Sequence, residues 1–337
     1  MNGIKLCKPE HIDRLVAHRQ GELKFGEKLQ FVSNIEELKE HKAKYVILGI
    51  SEDIGVRANH GRPGTSGAWD SFLSAFVNIQ VNRFNNPENC ILLGELECRD
   101  LMEKAEYIDD TDPNYHIKLG DMVEKIDDKL STLIEQIIRA NKIPVVIGGG
   151  HNNSFGNIKG ASRALEQPIN VINIDAHTDL RQLEHRHSGN GFSYAIEGWY
   201  LRNYSIFGLH KNYTPEYIFR QMEDSENIRY ELAEDLLKLP NELPQNFEKA
   251  LQFVGDTKFG FELDCDAIAH FPSSAISPAG FRLEQVRNFV SMASKNKNCC
   301  YFHICEAAPG KDNSTIVGKA LTYLVTDFIG KSQPDLL

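Results

Sequence analysis

The apolar run Val171-Ile172-Asn173-Ile174 breaks at once into Asp175-Ala176-His177-Thr178-Asp179. A strand that ends this way constrains the fold strongly. On an extended backbone side chains alternate with period two, so Asp175, His177 and Asp179 are expected to leave the sheet on one side, where three metal ligands converge. Taken alone, the stretch also fits a loop with two solvated carboxylates and an unrelated histidine.

Two other stretches are built the same way. Phe259-Gly260-Phe261-Glu262-Leu263 runs into Asp264-Cys265-Asp266, and Pro144-Val145-Val146-Ile147 runs into Gly148-Gly149-Gly150-His151. Carboxylates gathered at strand ends repel one another and resist desolvation, so they call for a cation. Four Asp and two His, with no thiolate, suit a hard to borderline divalent ion such as Mn²⁺ better than a structural zinc site. Six side chains exceed what one open catalytic ion needs but suit two ions that share bridging carboxylates. Such ions, roughly 3.5–4 Å apart, activate a shared water near neutral pH. The expected chemistry is hydrolysis.

These motifs, His151 after its glycine run, Asp175-Ala176-His177-Thr178-Asp179 and Asp264-Cys265-Asp266, resemble in order and separation the metal motifs of the ureohydrolase family of arginases, agmatinases and formimidoylglutamases. The resemblance runs from about Tyr45 to the end of the chain. It implies an arginase-like three-layer α/β/α fold with a mainly parallel sheet, and two Mn²⁺ per chain. It also implies cleavage of a C–N bond in a guanidine or amidine. By this resemblance His151, Asp175, Asp179 and Asp264 hold one ion, and Asp175, His177, Asp264 and Asp266 the other. Asp179 passes a proton to the departing amine, and Glu306, just after Tyr301–Cys305, pairs with the planar N–H groups of the substrate.

Several loop residues resemble the formimidoylglutamase branch in particular. Arg181 stands two residues after Asp179, where arginases carry an asparagine, and a guanidinium fork there fits a glutamate carboxylate. A solvated surface arginine fits the position equally well. The stretch Gly55–Gly64 adds Arg57 and Arg62, expected beside the same crevice, and Ser188 and Asn190 are further candidates for substrate contact. One departure stands out: arginases and agmatinases have His-Gly in the loop after the first Asp cluster, whereas this chain reads Ser188-Gly189. His185 and His187 are the nearby alternatives for a proton relay.

The function implied is hydrolysis of N-formimidoyl-L-glutamate to L-glutamate and formamide, a step of histidine degradation. Another guanidine hydrolase (arginase, agmatinase) is the nearest alternative, and an inactive metal-binding paralogue with a regulatory or interaction role is the alternative of another class.

Composition bounds the partners. Across 337 residues, 37 basic against 47 acidic residues give a net charge of −10, which opposes nucleic acid and anionic membranes. No apolar stretch reaches the roughly 18–20 residues of a membrane span, and the first residues lack a signal peptide's apolar core. The seven cysteines form no Cys-x-x-Cys pair and are odd in number, so buried thiols in a reducing cytoplasm are expected rather than disulfides. The expected partner is a small-molecule substrate, with association of identical copies left open.

Short apolar runs alternate with helical patterns, as βα units of a parallel sheet require. Strands are expected at Tyr45–Ile50, Pro144–Ile147, Asn170–Ile174, Ser205–Leu209, Phe259–Leu263 and Cys300–Cys305. A helix is expected at Asp121–Ala140, whose apolar stripe recurs every three to four residues. Asn153 and Ser154 are expected to cap the helix after the glycine run, and Thr65 or Ser66 the one after Gly64. Residues 99–121 read as a polar surface excursion and 216–244 as mostly helical. The chain is taken as one domain over 1–337, with residues 1–44 an N-terminal extension packed on it.

Overall fold

A computed structural model describes residues 3–330. Nine strands form one sheet: β1 (Ile4–Leu6), β2 (Tyr45–Ile50), β3 (Cys90–Leu96), β4 (Ile143–Ile147), β5 (Ile169–Ile174), β6 (Leu201–Leu209), β7 (Ile228–Leu232), β8 (Phe259–Asp264) and β9 (Cys299–Cys305). Their order is β1-β3-β2-β4-β9-β8-β5-β6-β7. Every pairing is parallel except that of β1 with β3. The three-layer α/β/α architecture expected from the chain is therefore present.

The central strands are apolar on both faces because helices cover both. Ile47, Val145, Ile147, Ile172, Ile174, Phe261 and Ile304 pack on one side, with helices Ala68–Phe76, Leu243–Val254, Leu283–Ser294 and Ser314–Ile329. Val46, Leu48, Val146, Val171 and Tyr301 pack on the other, with helices Tyr115–Arg139, Asn153–Leu165 and Gly191–Glu197. The alternation of Val145 and Ile147 against Val146 is the period-two pattern of a strand buried on both faces.

Some expectations need correction. The stretch 216–244 is mostly helical, with helices Glu216–Glu223 and Ala233–Leu236, the turn Pro240–Glu242 and the start of Leu243–Val254, but it also supplies β7, where Ile228, Tyr230 and Leu232 alternate with Arg229 and Glu231 at the sheet's edge. The excursion at 99–121 contains the helix Arg99–Glu106 and the first turns of Tyr115–Arg139. That long helix is not uniformly apolar inside, because Asp127 is buried against Arg186 at 2.9 Å. Residues 3–44 contribute to the sheet and core as well as covering them, through β1 and through Phe25, whose ring stands 4.9 Å from that of Phe76.

The expected caps do not form. Asn153 Nδ2 donates to Glu52 and to the Gly150 carbonyl, and the Ser154 hydroxyl donates to the His151 carbonyl. Thr65 donates to the Glu52 carbonyl and Ser66 to Asp53. These groups bind loops to one another instead of accepting from helix N–H groups. All seven cysteines are free thiols, six of them buried. Among the described residues no helix is long and apolar enough to cross a membrane.

Candidate metal centre and its cavity

The four central strands β4, β9, β8 and β5 are neighbours, and each ends in part of one constellation. β4 leads through Gly148-Gly149-Gly150 to His151, β9 to Glu306, β8 to Asp264 and Asp266, and β5 to Asp175, His177 and Asp179. This is the carboxyl edge of a parallel sheet, where ligand crevices form because the loops there are free of the ladder.

His151 is the hub. Its Nδ1 lies 2.8 Å from Asp179 Oδ2, 3.1 Å from Asp264 Oδ2 and 3.2 Å from Asp175 Oδ2, yet makes no hydrogen bond of acceptable geometry. His151, Asp175, Asp179 and Asp264 thus each bring one ligand atom into a common small volume. Beside them His177 Nδ1 stands 3.5 Å from Asp175 Oδ1 and 3.9 Å from Asp266 Oδ2. His151, Asp175 and Asp264 are buried, whereas Asp179 and His177 are partly exposed toward the cavity.

Simple strand alternation does not produce this convergence. The backbone bends at Ala176 and His177, and Asp179 takes a left-handed conformation at φ +49°. Asp and Asn tolerate that region better than other non-glycine residues, and here it turns the Asp179 carboxylate toward His151. Short loops hold the free oxygens in place. Asp175 Oδ1 accepts from His177 N–H, Asp264 Oδ1 from Asp266 N–H and Asp266 Oδ1 from Ala275 N–H, while Asn173 Nδ2 donates to Asp175 Oδ2.

The electrostatics are those of a site that needs positive charge. Burial, followed by the charge on Asp175, pushes Asp179 above the usual carboxylate range, and burial with Asp175 and Asp266 pushes Asp264 well above it. Burial also raises Asp266. At His177 burial opposes the charged form, but Asp175 wins and raises the imidazole to about 10. An oxygen-rich set with two imidazoles, and an unpartnered imidazole nitrogen aimed into it, fits a pair of divalent cations.

Glu306 closes the site from β9. It sits at φ +61°, its Oε1 accepts from His151 N–H at 2.6 Å, and its buried Oε2 has no partner. Burial, then Asp266, pushes it up to about 8 among the protein groups alone. A bound cation nearby reverses that direction. The glycine run is fixed from behind by buried Glu52, whose Oε1 accepts from Gly150 N–H and the amides of Asn152 and Asn153.

Above the ligands opens a cavity of about 440 Å³, lined by His177, Asp179, Asp264, Asp266 and Glu306 and, farther out, by Asn59, Arg181, Ser188, Tyr213 and Tyr217. A larger cavity of about 610 Å³ lies between the helices Ala68–Phe76 and Ser314–Ile329. It is lined by hydroxyls, amides and Lys319 without a carboxylate or imidazole, so the smaller cavity is the one with chemistry.

Arg181 and Ser188 are at this cavity, but the other loop candidates are not. Arg57 turns away to Glu106 (2.8 Å), the Ala105 carbonyl and the Tyr115 hydroxyl (each 3.0 Å). Arg62 donates to the Ser273 carbonyl at 2.6 Å. Asn190 is buried against Arg186 and His187 N–H. His185 Nε2 meets the Ala58 carbonyl at 3.1 Å. His187 accepts from Gly189 N–H at Nδ1 and faces Glu184 at Nε2, and burial lowers its pKa to about 4. None of these five lines the cavity.

Sequence reading passes over Asn59, which lies inside the same Gly55–Gly64 stretch and donates to Ser188 Oγ at 3.1 Å. It also passes over Tyr213, whose ring stands 5.4 Å from that of His177. Tyr213 carries neither a charge nor a motif, and Asn59, though a fixed position of the Gly-Val-Arg-x-Asn-x-Gly-Arg-Pro-Gly stretch, is uncharged beside two arginines.

With this geometry established, comparison with known proteins is direct. Residues 43–330 match the model of the arginase family, and the chain belongs to that family of ureohydrolases. A formimidoylglutamase of Macrococcus caseolyticus is 26% identical over 291 residues, 83% of each chain. Among solved structures, Trypanosoma cruzi formiminoglutamase with Mn²⁺ superposes with a TM-score of 0.72 at 18% identity, over 91% of this chain and 97% of that one. Bacillus subtilis formimidoylglutamase gives 0.71 at 14% identity, over 93% and 92%. At these identities the two structures show a shared fold.

Proposed function

We propose that this chain is a binuclear manganese hydrolase that converts N-formimidoyl-L-glutamate and water to L-glutamate and formamide, in histidine degradation. The observation that carries the reading is the joining of two features. Six side chains of hard-cation type meet at the floor of a cavity, and among the described residues one guanidinium, Arg181, stands on its wall. The resemblance to formimidoylglutamases supports the choice of substrate.

His151, Asp175, Asp179 and Asp264 would hold one ion, and Asp175, His177, Asp264 and Asp266 the other. When bound, two such ions lower the pKa of water toward neutrality and offset the charge of the carboxylates. The chain's own groups do the remaining work. Glu306 Oε2, unpartnered and buried, accepts the amidinium N–H groups and orients the formimidoyl carbon over the floor. Asp179 takes the proton of the attacking water and delivers it to the glutamate nitrogen as the C–N bond breaks. Arg181 binds a glutamate carboxylate, with Asn59 and Ser188 beside it. The protein is expected to act as a small-molecule enzyme without nucleic-acid or membrane partners, and we place it in the cytoplasm.

The test is a substrate panel with purified, Mn²⁺-loaded protein: formimidoylglutamate, arginine, agmatine and guanidinobutyrate in parallel. Formamide release from the first at the highest kcat/KM is the expected result. Preference for arginine or agmatine would replace the substrate assignment, and turnover of none would favour an inactive paralogue.

A further inference from the structure

Behind His151, away from the cavity, lies a polar cluster that the proposed chemistry does not use. Glu262 on β8 and Tyr301 and His303 on β9 are all fully buried. The Tyr301 hydroxyl donates to Glu262 Oε1 at 2.8 Å. His303 Nδ1 lies 2.6 Å from Glu262 Oε2, and its Nε2 faces the Gly148 carbonyl at 3.4 Å. Room is made for this arrangement. A Cβ on Gly260 would stand 2.2 Å from Tyr301 Cζ, so glycine is what lets the phenol lie across the sheet and reach the carboxylate. Removing a carboxylate from water is expensive, and a sheet covered by helices has no need of one.

His151 gives it a purpose. Nδ1 is turned to the three Asp oxygens, whereas Nε2 is turned the opposite way, is buried without a hydrogen bond, and faces Glu262 Oε2 at 3.6 Å. An imidazole that offers its Nδ1 lone pair to a cation carries its proton on Nε2, and a buried N–H requires an acceptor. We propose that Glu262 is the positioning residue of His151, accepting its Nε2–H so that Nδ1 is aimed at a divalent cation, with Tyr301 and His303 fixing the carboxylate. The inference rests on the metal part of the proposed function and is independent of the substrate.

The experiment is a Mn²⁺ titration by calorimetry and electron paramagnetic resonance on wild-type protein, Glu262→Gln and His303→Gln, with the thermal midpoint of each before metal is added. Glu262→Gln is expected to weaken one of the two ions by about 10- to 100-fold, the usual effect of losing such a partner, and to replace the spin-coupled spectrum by a single-ion one. His303→Gln, which leaves the carboxylate in place, should retain tighter binding than Glu262→Gln. Equal Mn²⁺ affinity in wild type and Glu262→Gln would reduce the cluster to a structural role and overturn the proposal. Should Glu262→Gln fail to fold, Glu262→Asp draws the carboxylate back by one methylene and is expected to weaken the same ion. Unchanged affinity there also overturns the proposal. A wild-type protein that bound no Mn²⁺ would instead overturn the metal reading on which the proposal stands.

Discussion

Among the described residues Arg181 is the one guanidinium lining the cavity, and it is exposed there, lying against Gly189, where a Cβ would stand 2.9 Å from its Cδ. Binding a carboxylate remote from the reacting bond stabilises ground state and transition state alike. Arg181→Ala is therefore expected to raise KM for formimidoylglutamate about tenfold with kcat little changed, the lower end for a charged contact because water reaches it. Steady-state kinetics check this, and an unchanged KM would clear the residue. His187 carries a pH signature instead. Its folded pKa, about 4 against 6.5, lies below the unfolded value, so the protonated form is favoured by unfolding. The resulting stability, about 3 kcal/mol, is complete above pH 6.5 and lost as pH falls toward 4. Urea unfolding of His187→Gln should thus show a loss between pH 7 and pH 5 that is smaller than wild type's by about 2 kcal/mol. The metal-ligand candidates were legible because Asp and His at strand ends need a cation. For Arg57 and Arg62 the sequence displays charge but not direction, and in the structure both donate to protein partners.

At the level of elements, six strands were legible as apolar runs, since burial on both faces leaves no polar interruption. Three strands were passed over: β1 is too short to show a period, β7 is a half-exposed edge strand whose alternation is diluted by charge, and β3 is a buried apolar run that is broken only by Gly94 and Glu95 and was as open to this reading as the other six. The turn after β4 depends on backbone that only a structure reveals. Gly148 and Gly149 have φ of +92° and +74°, and a Cβ on Gly149 would stand 2.4 Å from Asn153 Nδ2 and 3.0 Å from Glu52 Oε1. Gly149→Ala should combine left-handed strain with this clash and destabilise by about 2–4 kcal/mol. It should also weaken Mn²⁺ binding by shifting His151. Gly21→Ala makes the matched control, at φ +81° with nothing within 4 Å of the new Cβ. Its cost should be only about 1–2 kcal/mol, with metal affinity unchanged. Equal effects of the two substitutions in denaturant melts and metal titrations would show that the glycine run does not set the ligand.

Across the whole molecule, a sheet in the order β1-β3-β2-β4-β9-β8-β5-β6-β7 brings motifs more than a hundred residues apart to four adjacent strand ends. The expectation of a parallel sheet was within reach of the sequence, but the strand order was not, because it depends on which helix covers which face. That order places Asp264 between the two ligand sets, 3.1 Å from His151 Nδ1 and next to the loop that holds Asp266. If this floor holds two ions through shared carboxylates, the direct measurement is Mn²⁺ bound per chain in wild type and Asp264→Ala, with circular dichroism to verify the fold. Two ions are expected in wild type and at most one in a folded Asp264→Ala, with hydrolysis nearly abolished. Two tightly bound ions and full activity in Asp264→Ala would contradict it.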